Sequence, residues 1–165
     1  MQAFKLALRQ SPKRICHAEI RDEDANLYVR ACTRGHEGSL TTVHVSELED
    51  VPDAITDMCM LDGRGMDSKR LTKRITEFVT HIGIEMQVVH GKRKIVRIVE
   101  YRYEKEEVCV TDLAVYDKST DEWTFPGKLS LHASRKIRKA DRRQYSLLRE
   151  HGFIENEGKE GGFEP

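Results

Sequence analysis

The sequence predicts an α/β fold in which a partial parallel sheet with helices is followed by an antiparallel β-rich segment and a C-terminal helix. Three observations point to it. Residues 1–80 alternate short apolar runs with amphipathic helical runs, the order that builds parallel βαβ units. From Ile82 the apolar spacing drops from helical to every second residue. After Pro126-Gly127 helical spacing returns. No linker separates these parts. Residues 1–150 are therefore expected as one compact unit, with an α/β part (1–80), a β-rich part (81–126) and a helical part (127–150). Residues 151–165, rich in Gly and Glu, are expected as a flexible tail.

Taken in order, Phe4, Ala7 and Leu8 share one helical face, and Gln10-Ser11-Pro12 stops that helix. Ile15–Ile20 reads as a buried strand with a carboxylate near its end. Asp22-Glu23-Asp24 places acids where a helix N-terminus is electropositive, and Ala25, Tyr28, Val29 and Cys32 give that helix its inner face. Gly35 suits a left-handed cap. Ser39–Val43 is a short β-branched strand. A helix beginning near Pro52 presents Ile55, Met58 and Cys59 inward, and Asp50 or Val51 is its cap. Gly63-Arg64-Gly65 is a loop. Leu71, Ile75, Phe78 and Val79 form a second helical face. Ile82, Ile84, Met86 and Val88 alternate with polar residues as one strand, with Ile84, Met86 and Val88 expected inward. His90-Gly91-Lys92 is a turn, and Ile95–Tyr103, Val108–Tyr116 and Trp123–Phe125 complete an antiparallel meander. A single helix is expected from about Ser134 to Leu148.

Composition narrows the function classes. Lys and Arg number 28, Asp and Glu 28, so the formal net charge is zero. That balance argues against a strongly basic nucleic-acid coat or an acidic tail. Apolar runs are far shorter than the ~18–20 residues a membrane-spanning helix needs. Met1–Arg9 lacks the pattern of a signal peptide, which makes a cytoplasmic location the default. Cys16, Cys32, Cys59 and Cys109 form no closely spaced pair, so buried free thiols are expected rather than a zinc site.

Two strand ends carry the chemistry. Glu19 closes the first strand and His44 the second, and one helix lies between them. In open α/β sheets ligands gather at the carboxyl ends of strands. A carboxylate there suits a phosphate-bound Mg²⁺, held directly or through water. An imidazole there can donate to a phosphate oxygen or orient a water. Taken singly, each is more often a polar strand end than a site. Together in one βαβ unit they shift the odds. Arg135, Lys136, Arg138, Lys139, Arg142 and Arg143 lie on the last predicted helix. They can meet phosphates of nucleic acid or an anionic surface, although a solvated helix face is the simpler reading.

The runs Leu8–Ile15, Ala18-Glu19-Ile20-Arg21 and Gly35-His36-Glu37-Gly38-Ser39-Leu40-Thr41-Thr42-Val43-His44 resemble the secretion-system traffic ATPases. These are hexameric RecA-like motors of type II and type IV secretion and of pili, and the nearest likeness is to the Tad pilus and conjugation branch. The first block is similar to their Walker B region and the second to their histidine box. The likeness is clearest from about Phe4 to His44 and fades by Tyr116. It implies that the parallel part is a portion of a RecA-like domain. It implies that Glu19 is the Walker B glutamate on the Mg²⁺ side and His44 the terminal histidine near the γ-phosphate. Arg21 is implied as the arginine after that glutamate, and Gly35 and His36 as the opening pair of the box. ATP and Mg²⁺ are the implied cofactors. Implied partners are other ATPase subunits or a P-loop-bearing half, together with membrane-embedded secretion machinery.

Two departures qualify the likeness. Ala18 stands where the family usually has glycine. No Gly-Lys-Ser or Gly-Lys-Thr run exists to cradle phosphates; Gly91-Lys92, Gly127-Lys128 and Gly158-Lys159 lack the hydroxyl residue. The expectation is therefore the C-terminal portion of a secretion or pilus-assembly ATPase that does not hydrolyse ATP alone, cytoplasmic and reaching the membrane through partners. The alternatives are a non-catalytic docking module and, more weakly, a nucleic-acid binder acting through the helix around Arg138.

Overall fold

The computed structural model describes residues 2–63 and 65–154. Arg64 of the expected loop and residues 155–165 of the expected tail lie outside the described residues, while residues 151–154 of that tail are packed, with Ile154 buried and bridged to Leu129 and Phe153 edge-on to Phe125. The fold is a mixed α/β arrangement with a four-stranded antiparallel sheet. Contacts within the chain cluster into two compact units. The first comprises Met1–Gly83 and Tyr101–Val110, the second Ile84–Glu100 and Thr111–Pro165.

In the first unit α1 (Gln2–Arg9) ends ahead of Pro12. Helix α2 (Asp22–Cys32) buries Ala25, Tyr28, Val29 and Cys32, the face its spacing predicts. A 3-10 turn (Leu48–Asp50) leads into α3 (Val51–Met60), whose Pro52 sits in the first turn, where a missing N–H costs nothing. Helix α4 (Ser68–Phe78) starts at Asp67, which accepts the Arg70 N–H at 2.7 Å. Helix α3 packs against both α2 and α4. Ile55 and Ile75 are buried in this unit, a term of roughly 1.5–3 kcal/mol per large apolar side chain. The polar groups between the helices are paired. Asn26 donates to the Cys59 carbonyl at 2.7 Å, and the Thr56 and Thr72 hydroxyls meet at 3.0 Å.

The sheet runs in the order β1 (Ile82–Val89), β2 (Lys92–Glu104), β3 (Glu107–Asp117), β4 (Glu122–Thr124). His90 and Gly91 both have positive φ, as do Lys105 and Glu106, so the β1–β2 and β2–β3 hairpins each close in two residues with the mirror-type turn that suits strand twist. In the second unit Val89, Val96 and Tyr116 form a core cluster. Helix α5 (Leu131–Ala140) is followed by α6 (Arg142–Glu150).

Several expectations give way here. The parallel strands at Ile15–Ile20 and Ser39–Val43 are extended segments joined by one bridge, Cys16 to Leu40, and the four-stranded sheet itself is antiparallel. Ile84, Met86 and Val88, expected inward, are 52%, 62% and 70% exposed, while Gly83 and Val89 of the opposite face are buried. Period-two spacing sets which residues share a face but not which face is covered, and β1 is an edge strand. Phe78, expected inward on α4, is 47% exposed. The single helix over 134–148 is two helices. Asp141 between them is extended (φ −152°, ψ 102°), and its carboxylate accepts the N–H groups of Arg143 and Gln144. Of the four free cysteines, Cys32 and Cys59 are buried, Cys109 is half-buried and Cys16 is exposed.

Candidate functional site

Two extended segments build the site. Leu40 N–H donates to the Ile15 carbonyl at 2.9 Å, His17 N–H to Leu40 at 2.8 Å, and Ile20 N–H to Thr42 at 2.9 Å. The segments therefore run parallel and side by side, with α2 as the crossover between them. The Thr42 hydroxyl adds a bond to the Ala18 carbonyl at 2.6 Å. Buried Ile15 and Ile20 anchor the first segment, so the polar residues between and beyond them are held at its exposed end.

There Glu19 and His44 meet. Glu19 Oε1 lies 3.4 Å from His44 Nε2, and Glu19 Oε2 accepts Arg21 Nη2 at 2.8 Å. The side chains differ in exposure: Glu19 is 27% exposed, Arg21 78% and His44 88%. The hydrogen bond from Arg21 holds the Glu19 carboxyl below the ordinary carboxylate range; slight burial opposes this, and the charges of Arg21 and His44 assist it. The Arg21 guanidinium is correspondingly held above its ordinary value by Glu19. The result is an ionised carboxylate flanked by a permanent cation and an imidazole, all open to solvent.

Gly35 and His36 are placed differently. Among the described residues the ion pairs and hydrogen bonds of Glu19 go to Arg21 and His44, and the His36 ring turns to Pro12 instead. Gly35 has φ +106°, a backbone conformation that disfavours any side chain, and it carries the chain out of α2. His36 Nδ1 lies 2.6 Å from the Pro12 carbonyl, which can only accept, so Nδ1 carries the proton. The Ser39 hydroxyl donates to the His36 carbonyl at 2.6 Å and accepts the Ile15 N–H at 3.0 Å. These residues set the register of the second segment against the first.

His17 was not singled out in the sequence. Its ring stacks on Tyr28, with centroids 5.9 Å apart, and meets Phe4 edge-on at 5.4 Å. Its Nε2 is buried without a hydrogen-bond partner among the described residues, and the Asp24 carboxylate is 3.8 Å away, beyond hydrogen-bonding reach. Its alternation with Glu19 along the segment is the only sequence signal it carries.

A hard divalent cation fits this donor set in part. Glu19 is an ionised oxygen ligand. Among the described residues no group of three or more His, Cys, Asp or Glu side chains could hold a metal. One carboxylate retains such an ion only when phosphate oxygens and water complete the shell.

A family model described as "Type II/IV secretion system protein" matches residues 1–147. Over 59 residues the chain is 36% identical to the type IV secretion system protein PtlH of Bordetella pertussis, covering 36% of this chain and 17% of that protein. It is 34% identical over 98 residues to the type IV secretion system protein VirB11 of Bartonella quintana, covering 59% of this chain and 28% of that protein. The fold is similar to the crystal structure of the VirB11 ATPase from the Brucella suis type IV secretion system in complex with sulphate. The TM-score is 0.53 and the identity 22%, over 60% of this chain and 32% of that one. The chain thus spans well under half the length of these relatives. Among the described residues no helix is long and apolar enough to cross a membrane.

Proposed function

The chain belongs to the type II/IV secretion system protein family, and from that premise we propose that it supplies the metal side and the γ-phosphate side of an ATP·Mg²⁺ site. In this reading the site's phosphate loop comes from another segment or subunit. The observation that carries the reading is the convergence of Glu19, Arg21 and His44 at the ends of two parallel segments. Glu19 holds Mg²⁺ directly or through water and orients the attacking water. His44 donates to the γ-phosphate. Arg21 keeps Glu19 ionised and in place. Gly35 and His36 support the turn that delivers His44. The two parallel segments belong, on this reading, to a RecA-like sheet completed by strands outside this sequence. The full engine works in the cytoplasm with further ATPase subunits, at the membrane through the secretion machinery.

Phosphoryl transfer at ~1–100 per second needs backbone amides, a lysine and Mg²⁺ on the phosphates together. The 165 residues contain no Gly-Lys-Ser or Gly-Lys-Thr run. The purified chain is therefore expected to release phosphate from ATP no faster than background. Adding a family segment that bears the P-loop is expected to restore turnover, and Glu19→Gln or His44→Ala then lowers the rate by about two orders of magnitude. Mg²⁺-dependent turnover by the chain alone, lost on Glu19→Gln, overturns the shared-site reading.

A second reading is a docking module without catalysis. It is favoured by the exposed apolar row Ile82, Ile84, Met86 and Val88 on edge strand β1. Full phosphate-release rates in the completed assembly with Glu19→Gln would select it.

A further inference from the structure

The zero net charge of the chain conceals a segregation. Residues 131–150, which span α5 and α6, hold seven Lys and Arg against two acids. One of those acids, Asp141, is occupied in capping α6 through the Arg143 and Gln144 N–H groups. Burial along α5 fixes which way the charge points. Ser134 is 1% exposed, and Ala133 and Ile137 beside it are half-buried, a stripe with the three- and four-residue spacing of one helix face. Arg135, Lys136, Arg138 and Lys139 all fall outside that stripe and are exposed. They therefore share the outward side of a single helix.

Helix stability explains only part of this charge. A cation near a helix C-terminus is favoured by the macrodipole, which accounts for Arg138 and Lys139 in the last turn of α5. The same dipole opposes cations in a first turn, yet α6 opens on Arg142 and Arg143 and has no acid in that turn. The Arg138 guanidinium also lies over the Tyr145 ring, 5.6 Å from its centroid, so a side chain of α6 helps to hold a cation of α5 in place.

The chemistry of the surface selects its partner. Between Arg135 and Arg143 the one large apolar side chain is Ile137, and it lies on the inner stripe. A helix that settles into a lipid interface needs apolar side chains to bury there, and the outward side of this stretch has none. The same stretch holds no aromatic ring on which an unpaired base could stack. What it offers is a close-set row of cations. That suits the dense, regular phosphates of a duplex, with one negative charge per about 1.7 Å of its axis.

We propose that the outward side of α5, extended by Arg142 and Arg143 at the start of α6, binds the phosphate backbone of duplex nucleic acid without reading its sequence. None of these residues belongs to the Glu19, Arg21 and His44 group. The inference therefore stands or falls apart from the nucleotide-site reading.

The test is fluorescence anisotropy of a labelled DNA duplex of about 20 base pairs, titrated with the purified 165-residue chain between about 50 and 200 mM salt. The wild-type chain is expected to bind with a dissociation constant on the order of micromolar at the low-salt end. The logarithm of the affinity falls linearly with the logarithm of salt, with a slope of about −0.9 for each phosphate contacted. Lys136→Gln with Lys139→Gln lowers the affinity about tenfold or more and makes the slope shallower by about two. Lys136→Arg with Lys139→Arg keeps both, and circular dichroism checks that each variant folds. Lys69→Gln, on the exposed surface of α4 in the first unit, leaves the affinity within about twofold. Two duplexes of unrelated sequence bind alike. A wild-type chain that does not bind at low salt overturns the proposal. So does a slope that Lys136→Gln with Lys139→Gln leaves unchanged, or a strong preference for one sequence. Tighter binding to phosphatidylserine vesicles than to the duplex, lost in the same variant, also overturns it and assigns the surface to lipid.

Discussion

Glu19 illustrates what a single residue discloses before any coordinates. A carboxylate that ends an apolar run, and an imidazole that ends the next run after one helix, were legible as a pair because a right-handed crossover returns neighbouring parallel strands. The structure places them 3.4 Å apart. The roles of Arg21 and His17 were less legible. Arg21 lies two residues beyond Glu19, and only the geometry shows its guanidinium on the carboxylate. His17 looks like any strand residue until its ring is seen against Tyr28 and Phe4. The Arg21 contact has a measurable consequence. The folded-state pKa of Glu19 is depressed, so its pairing contributes stability above the ordinary carboxylate range and loses it as pH falls through the folded value. Arg21→Ala is expected to move the Glu19 titration upward toward the ordinary value, followed by the NMR shift of its side-chain carboxyl. His44→Ala moves it less, because the hydrogen bond from Arg21 is the larger cause. A titration unchanged by Arg21→Ala shows that the two do not pair in solution.

At the scale of elements, helices were read better than their ends. The face of α2 follows from spacing alone and that of α3 in part, with Ile55 and Cys59 buried, Met58 half-buried and Thr56 buried beside them, whereas the caps Asp67 and Asp141 passed unnoticed, since an isolated Asp among charged residues carries no periodic signal. The same blindness merged α5 with α6. The β2–β3 turn lacked any glycine or asparagine signal, because Lys105 and Glu106 take positive φ themselves. One tie within the second unit bears on α5 directly. Glu100 is 4% exposed on β2, and it accepts the Ser130 N–H at 2.8 Å and the Ser130 hydroxyl at 2.6 Å. Ser130 in turn caps α5 by accepting the Ala133 N–H at 3.1 Å. A buried carboxylate thus fixes a helix start. Removing it strands a buried donor, at a cost of about 1–3 kcal/mol. Glu100→Ala is expected to lose that much in urea denaturation, and Glu100→Gln, which keeps an acceptor, loses less. Equal losses for the two would show that side-chain volume, not the hydrogen bonds, holds α5. Gly127 is a second tie. A Cβ there would lie 2.3 Å from the Asp112 carbonyl oxygen, so Gly127→Ala must move backbone and is expected to destabilise by about 1–3 kcal/mol.

For the molecule as a whole the question is which apolar residues make the core. The sequence offered Ile84, Met86 and Val88 as the inner row of β1, on the premise that apolar residues face inward. The structure leaves them open to solvent and buries Val96 and Val99 of the next strand instead, at 5% and 0% exposure. The premise fails at an edge strand because burial depends on what lies over each face, and strand spacing is silent on that. Glu85 and Gln87, on the half-covered face, are bonded to each other, and Lys118 donates to Gln87, so those polar groups are satisfied where they sit. The difference can be measured. Threonine keeps the β-branched shape that strands favour while it removes apolar surface. At exposed positions, Ile84→Thr with Val88→Thr is expected to change stability by less than about 0.5 kcal/mol per site. Val99→Ala, in a filled core, is expected to cost roughly 1–3 kcal/mol. Both are read from urea denaturation of the purified chain, where the slope also reports whether the unfolding transition keeps its size. If the double threonine variant loses as much as Val99→Ala, the row is covered in solution and β1 faces the other way. If it loses almost nothing, the row is free surface, and Ile82, Ile84, Met86 and Val88 form an exposed apolar row along one edge strand.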